Sequence, residues 1–175
     1  MNQATTTLTR AAPQDATPFQ ALRLRGLLEC PEAFASSYEE EASSLQEEIE
    51  LRLQPKPDSA IIGAFLDGVL VGLAGIQQES MAKLAHKAFI WGVYVSPEAR
   101  GRGVGTKVVS HALQYASETL GVRQVNLGVN TKNVAAAALY KKLGFVQYGL
   151  ERGFLLVAGV LHDEYQMVCH VRSAA

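Results

Sequence analysis

Cysteine is scarce in this chain of 175 residues: only Cys30 and Cys169 occur, with no C-x-x-C, so a disulfide scaffold is not indicated. The four histidines, His86, His111, His162 and His170, lack the spacing of zinc ligands, and no metal is expected. An excess of either charge is missing too. The 16 basic and 17 acidic residues leave a net charge of -1, which gives no general attraction to nucleic acid or to an anionic membrane. Long apolar runs are absent: no stretch reaches the roughly 18 residues of a membrane span, and the polar segment Met1 to Ala16 lacks the apolar core of a secretory signal. A cytoplasmic protein without membrane or nucleic-acid partners is therefore expected. A hydrophobic content of 48% suffices for a real core, and the length suits one domain over residues 1–175.

The patterning reads as mixed α/β. Thr5 to Ala11 alternates weakly, as a strand does, and Thr17-Pro18-Phe19-Gln20 offers an N-cap, a proline at the first helical position and a capping-box glutamine for a helix to about Glu29. From Pro31 to Arg52 an acidic segment, broken at Ser36-Ser37 and Ser43-Ser44, predicts two short helices. Ser59 to Leu66 and Val69 to Gln77 are apolar runs around Asp67-Gly68, a dipeptide suited to a tight hairpin turn. Met81 to Lys87 reads as a loop. Ala88 to Val95 is an uninterrupted apolar and aromatic run, as expected of a central strand covered on both faces. Helices are predicted from Val104 to Gly121 and from Val134 to Leu143 behind the cap Asn133, with a buried strand at Gln124 to Val129 between them. Glu151 to Ala158 and His162 to Val171 form a last pair of strands.

Between the central strand and the helix at Val104 lies Arg100-Gly101-Arg102-Gly103-Val104-Gly105. A glycine-rich turn entering a helix presents backbone N–H groups at the positive end of the helix dipole, a ready site for phosphate oxygens. Two nucleotide fingerprints fail here. The P-loop needs Lys followed by Ser or Thr after its last glycine, whereas Gly105 is followed by Thr106 and Lys107. The dinucleotide pattern needs a third glycine where Thr106 or Val108 stands. The segment does match Q/R-x-x-G-x-G/A, with Arg100, Gly103 and Gly105 in register. Further on, Asn133, Ala136 and Tyr140 share one helix face, with Leu139 and Leu143 toward the core and Gly144-Phe145 closing the helix.

In these two motifs, over roughly Ala60 to Met167, the chain resembles the GCN5-related N-acetyltransferase (GNAT) superfamily. The resemblance implies a twisted mixed sheet of six to seven strands flanked by about four helices, with the fourth strand splayed from the fifth. It implies acetyl-CoA as co-substrate. The loop amides of Arg100, Gly101, Arg102, Gly103, Val104, Gly105 and Thr106 would wrap its pyrophosphate, and Asn133, Ala136 and Tyr140 would line the later part of its site. The backbone of Val93, Tyr94 and Val95 would run along the pantetheine and polarise the thioester carbonyl. Tyr140 stands where the family commonly protonates the departing sulfur, a general-acid role.

Many relatives carry a glutamate base on the strand before the loop, yet Ala88 to Val95 contains no carboxylate. Glu79 is taken as the base, ahead of His86, His162, Asp163 and Glu164. The expected reaction is direct transfer of acetyl to a primary amine of a small molecule, such as an amino acid, polyamine or amino-bearing antibiotic. Two alternatives stay open: a protein N-terminus or lysine as acceptor, and a CoA-binding sensor or structural subunit without catalysis. Acceptor choice is expected from the helices around Phe34 to Glu40, the loop Glu79 to Lys87 and the hairpin Phe154 to Tyr165. Tyr38-Glu39-Glu40-Glu41 reads as a solvated helix face. Apolar closing strands such as Phe154 to Val157 suit pairing in a homodimer.

Overall fold

A computed structural model describes residues 5–172 and gathers seven strands into one sheet. In chain order they are β1 (Thr6–Arg10), β2 (Ser59–Leu66), β3 (Val69–Gln78), β4 (Lys87–Val95), β5 (Gln124–Asn130), β6 (Val146–Val157) and β7 (Val160–His170). The helices are α1 (Ala16–Glu29), α2 (Tyr38–Ala42), α3 (Gln46–Leu53), α4 (Val104–Glu118) and α5 (Val134–Lys142). The sheet order is β1-β2-β3-β4-β5-β7-β6, and β4 with β5 is its one parallel pair among the described residues.

Local chemistry explains most boundaries. Asp67 at φ 48° and Gly68 at φ 83° make the tight turn between β2 and β3. The acidic segment splits as expected, because Ser37 starts α2 with a capping box: its Oγ accepts the Glu40 N–H at 3.2 Å, and the Glu40 carboxylate accepts the Ser37 N–H at 2.8 Å. Two expectations fail. The first helix does not start at Thr17, because Pro13–Asp15 already forms a helical turn whose Asp15 carboxylate accepts the Ala12 N–H at 2.9 Å. β6 starts at Val146 rather than Glu151. It runs through Gly149 and Gly153 by way of irregularities in its register with β7 between Gln147 and Gly149 and between Glu151 and Leu155. The glycines there mark irregularities in the sheet.

Two apolar clusters clamp the sheet. Beneath it, Val104, Val108, Val109, Ala112 and Ala116 of α4 pack on Ile62, Ala74, Ile76, Ile90, Val125 and Leu127. Above β2 to β4, Phe19, Leu22 and Leu27 of α1 and Ile49 and Leu53 of α3 meet Ile61, Leu73 and Tyr94. This two-sided burial explains why β2, β3 and β4 read as continuous apolar runs. No helix among the described residues is long and apolar enough to cross a membrane.

The feature that positions the site is a break in pairing. β4 and β5 share only the rungs Lys87↔Gln124, Ala88↔Val125 and Phe89↔Asn126, and beyond them the strands separate.

Candidate active site

Where the ladder ends, the backbone of β4 changes course. Gly92 has φ 64°, and the register of β4 against β3 shifts between Leu73 and Gly75, opposite Trp91 to Tyr94. After this bulge Val93 and Val95 lean on the α4 side, while Tyr94 points into the α1 cluster. The strand edges left unpaired, Ile90 to Val95 and Leu127 to Asn130, flank a cavity of about 480 Å³. One wall is the loop before α4 with the first residues of that helix. The other is the face of α5 that carries Asn133, Ala136, Leu139 and Tyr140.

The loop has the properties of an anion cradle. Gly101 and Gly103 have φ 73° and 74°, left-handed values that favour glycine, and nothing lies within 4 Å of where a Cβ would stand on either. The amides of Val104, Gly105 and Thr106 form the first turn of α4 and have no intrahelical acceptors. Gly105 serves another purpose: a Cβ there would meet Leu139 Cδ1 at 3.0 Å, so its absence lets α4 approach α5. A pyrophosphate fits this cradle on three grounds: free amides, open space and the positive helix end.

The Arg100 side chain is a strut. Its Nε donates to the Val95 carbonyl at 3.0 Å, its Nη1 meets Glu29 Oε1 at 2.9 Å, and its guanidinium lies 5.6 Å from the Tyr94 ring centroid. Tyr94 also donates its hydroxyl to Glu29. That bond, followed by the charge of Arg100, holds the Glu29 carboxyl below the usual glutamate range. Burial and the bond to Glu29 push the Tyr94 phenol up.

On α5, Asn133 caps as expected, its Oδ1 accepting the Ala136 N–H at 3.1 Å. Tyr140 is 6% exposed, with its ring edge-on to Phe145 at 5.8 Å. Its hydroxyl has no hydrogen-bond partner among the described residues, although the residue lines the cavity. Burial raises its pKa, so the phenol stays protonated and available to donate. Leu139, expected to face only the core, lines the cavity as well.

Of the expected site residues, Val93, Tyr94, Val95, Arg100, Gly101, Gly103, Val104, Gly105, Thr106, Asn133, Ala136 and Tyr140 come together around this one cavity. Arg102 is exposed outside the lining. Glu79 is displaced further. Its backbone pairs with Lys87 at the start of β4, its amide donating to the Lys87 carbonyl at 2.9 Å, whereas the notch opens only from Ile90. An extended strand rises about 3.3 Å per residue, so Glu79 lies at the closed end of the ladder, away from the cavity. Phe34, expected on the acceptor side, does line the cavity, whereas sequence reasoning missed the β5 edge from Leu127 to Asn130 and the lining residue Cys30. Their contribution is backbone and shape, which no side-chain motif advertises.

On the α1 side of the bulge lies a buried ion pair. Arg23 donates from Nε to Glu41 Oε2 at 3.1 Å and from Nη2 to Oε1 at 2.8 Å, with side-chain exposures of 6% and 11%. Burial alone would raise Glu41, but the hydrogen bonds and charge of Arg23 reverse this and leave its carboxyl below the usual range. Glu41 is thus no part of a solvated face. Arg23 Nη1 has no partner among the described residues and lies 3.4 Å from the point a Cβ on Gly92 would occupy. The Phe34 ring stacks 4.9 Å from the guanidinium.

The splayed parallel pair, the glycine cradle and the tyrosine helix agree with a comparison against known families: the acetyltransferase (GNAT) family model matches residues 26–145. The chain belongs to the GNAT family. Among curated GNAT relatives, the N-alpha-acetyltransferase RimI of Mycobacterium tuberculosis is 36% identical over 111 residues, covering 63% of this chain and 66% of that protein, just under two thirds. The L-amino acid N-acetyltransferase AaaT of Escherichia coli is 28% identical over 116 residues, covering 66% and 71% of the two chains. Among solved structures, yncA from Salmonella typhimurium, a putative acetyltransferase with its cofactor acetyl-CoA, superposes with a TM-score of 0.80 at 19% identity over 98% of this chain and 97% of that one. That likeness carries the fold.

Proposed function

We propose that this GNAT protein transfers the acetyl group of acetyl-CoA to the primary amine of a small molecule. The donor is supported by the fit of the cavity: amides of Gly101 to Thr106 for the pyrophosphate, the unpaired edge of Val93 to Val95 along the pantetheine, and Asn133, Ala136 and Tyr140 on the far wall. Acetyl-CoA, when bound, supplies an acyl group already activated as a thioester. The protein contributes a desolvated notch, main-chain donors on β4 to polarise the carbonyl, and the Tyr140 phenol to hold a proton toward the leaving sulfur.

The observation that favours a small acceptor is a bridge. A peptide acceptor needs an open groove between the helices after α1 and the last hairpin, and the turn Pro31–Ala33 crosses that space. Asn130 Nδ2 donates to the Glu32 carbonyl at 3.0 Å, tying this turn to β5. Thiol release from acetyl-CoA, measured against amino acids, polyamines, aminoglycosides and short peptides, tests the reading. Turnover with small amines is expected. Turnover with peptides alone would replace the acceptor class, and acetyl-CoA binding without release in any arm would make the protein a binder.

Replacing Tyr140 by phenylalanine removes one hydrogen bond to a charge-bearing sulfur, worth roughly 1.5–3 kcal/mol, so kcat should fall tenfold or more. KM for acetyl-CoA should stay within about twofold, because the ring and its packing on Phe145 remain. An unchanged kcat with an unchanged pH profile would remove the acid role.

A further inference from the structure

We propose that Glu164 takes the proton from the acceptor amine, which reaches the notch from the face of the sheet opposite α4 and α5. The proposal rests on the acetyl-transfer reading above and supplies the base that β4 lacks.

The geometry follows from alternation along β5. Val125, Leu127 and Val129 point into the α4 cluster, so Asn126, Gly128 and Asn130 face the other side. Gly128 lines the cavity two residues past the last β4–β5 rung, at the narrow end of the notch. The glycine cradle sits at the wide end, beyond Val95. A linear donor anchored by its pyrophosphate at the cradle therefore brings its reactive end toward Gly128.

The carboxylate of Glu164 lies directly over this point. Glu164 pairs with Asn130 across the β5–β7 ladder, and its side chain reaches back so that a Cβ built on Gly128 would collide with its Oε1. Only glycine at position 128 leaves room for it. The neighbouring polar groups orient it. Gln166 Nε2 donates to Glu164 Oε1 at 2.9 Å and to Glu151 Oε2 at 3.3 Å, and Glu151 faces Glu164 across the β6–β7 ladder. From β7, His162 Nδ1 lies 3.3 Å from Asn130 Nδ2 of β5, and the Pro31–Ala33 turn contributes the Glu32 carbonyl to the same asparagine. Glu164 is half-buried.

Tyr140 and Glu164 thus stand on opposite faces of the sheet, Tyr140 in the cavity lining and Glu164 against Gly128 at its edge. The C–N bond forms from the Glu164 side as the C–S bond breaks toward α5. Glu164 receives the proton lost by nitrogen, and Tyr140 gives one to sulfur. Water then returns a proton to the tyrosinate and accepts one from the glutamic acid, so the cycle balances. Burial, with Glu151 adding to it against the Gln166 bond, pushes the Glu164 carboxyl up to about 6, so it is an ionised base at neutral pH and a stronger one than an ordinary glutamate.

The test is Glu164→Gln in the full chain, with Glu151→Gln alongside. In the unsubstituted protein, kcat/KM for an accepted amine should rise with pH through about 6. Glu164→Gln should lose that limb and about a hundredfold or more of kcat at neutral pH. Its calorimetric Kd for acetyl-CoA should stay within about twofold. Glu151→Gln should move the limb to lower pH, because the charge that helps to raise Glu164 is gone. A readout independent of turnover is the carboxyl carbon resonance of isotope-labelled glutamate: one signal titrating near 6 should vanish in Glu164→Gln. The melting temperature of that variant at neutral pH should be unchanged or raised, because a carboxyl whose folded pKa is raised stabilises the fold only while protonated. A retained limb and rate, or a Glu164 signal titrating in the ordinary glutamate range, overturns the proposal. If no amine is acetylated, the functional reading fails, and the titration still reports on Glu164 by itself.

Discussion

Valine in place of Gly103 is expected to raise KM for acetyl-CoA about a hundredfold while changing acceptor KM little. Two costs act on the loop. Gly103 is the N-cap of α4 at φ 74°, a conformation that costs an L-residue roughly 1–2 kcal/mol and a β-branched one more. If the loop relaxes instead, the amides of Val104 to Thr106 lose their common aim. If it does not relax, the new methyl groups stand in the open space where phosphate oxygens would approach, since nothing of the protein lies within 4 Å of that Cβ. The same emptiness means no clash with the core, so the fold should survive with a loss somewhat above the roughly 1–2 kcal/mol of an unbranched residue. Steady-state kinetics with each substrate varied in turn checks this. Equal rises in the two KM values would show that the loop does not hold the pyrophosphate.

Glu41→Ala should destabilise the protein by about 3–5 kcal/mol in urea unfolding at neutral pH. Removing Glu41 strands the Arg23 guanidinium, whose Nη1 is already without a partner among the described residues, in a site that is 5% exposed. It also takes the carboxylate from Arg52, 3.4 Å away, which lies over the Phe19 and Trp91 rings. The diagnostic comparison is Arg23→Met combined with Glu41→Leu. If the single variant suffers from an uncompensated charge, the double variant should regain most of the stability. If it suffers from lost packing, the double should be no better. Because the folded pKa of Glu41 is depressed, the pair's contribution is present at neutral pH and is lost as pH falls through that folded pKa.

Much of this molecule could be read from the chain before any coordinates. Asp67-Gly68, Gly103 and Asn133 each impose a local conformation through their own chemistry, and the elements they delimit lie where those residues place them. The residues of the proposed donor side, which line one cavity, were legible for the same reason, since amides in a cradle need glycines at fixed spacing. The acceptor side was not. Glu79 looked close to β4 in sequence, yet antiparallel pairing carries it to the closed end of the ladder. Glu164 is separated by a helix and a strand from Gly128, and only the β5–β7 register brings its carboxylate over that glycine. Glu41, one acid in a run of three, gave no sign that it alone turns inward to Arg23.

Three rungs of hydrogen bonds between β4 and β5 are all that make one sheet out of two. Mechanically, β1 to β4 and β5 to β7 are plates joined at a short seam and steadied by α4 and α5 beneath. A ligand lodged in the opening would act as a splint across the gap, adding contacts between plates that share few hydrogen bonds. Amide exchange at Ile90 to Val95 and Leu127 to Asn130 should therefore slow when acetyl-CoA is added, and the two halves should melt in closer step.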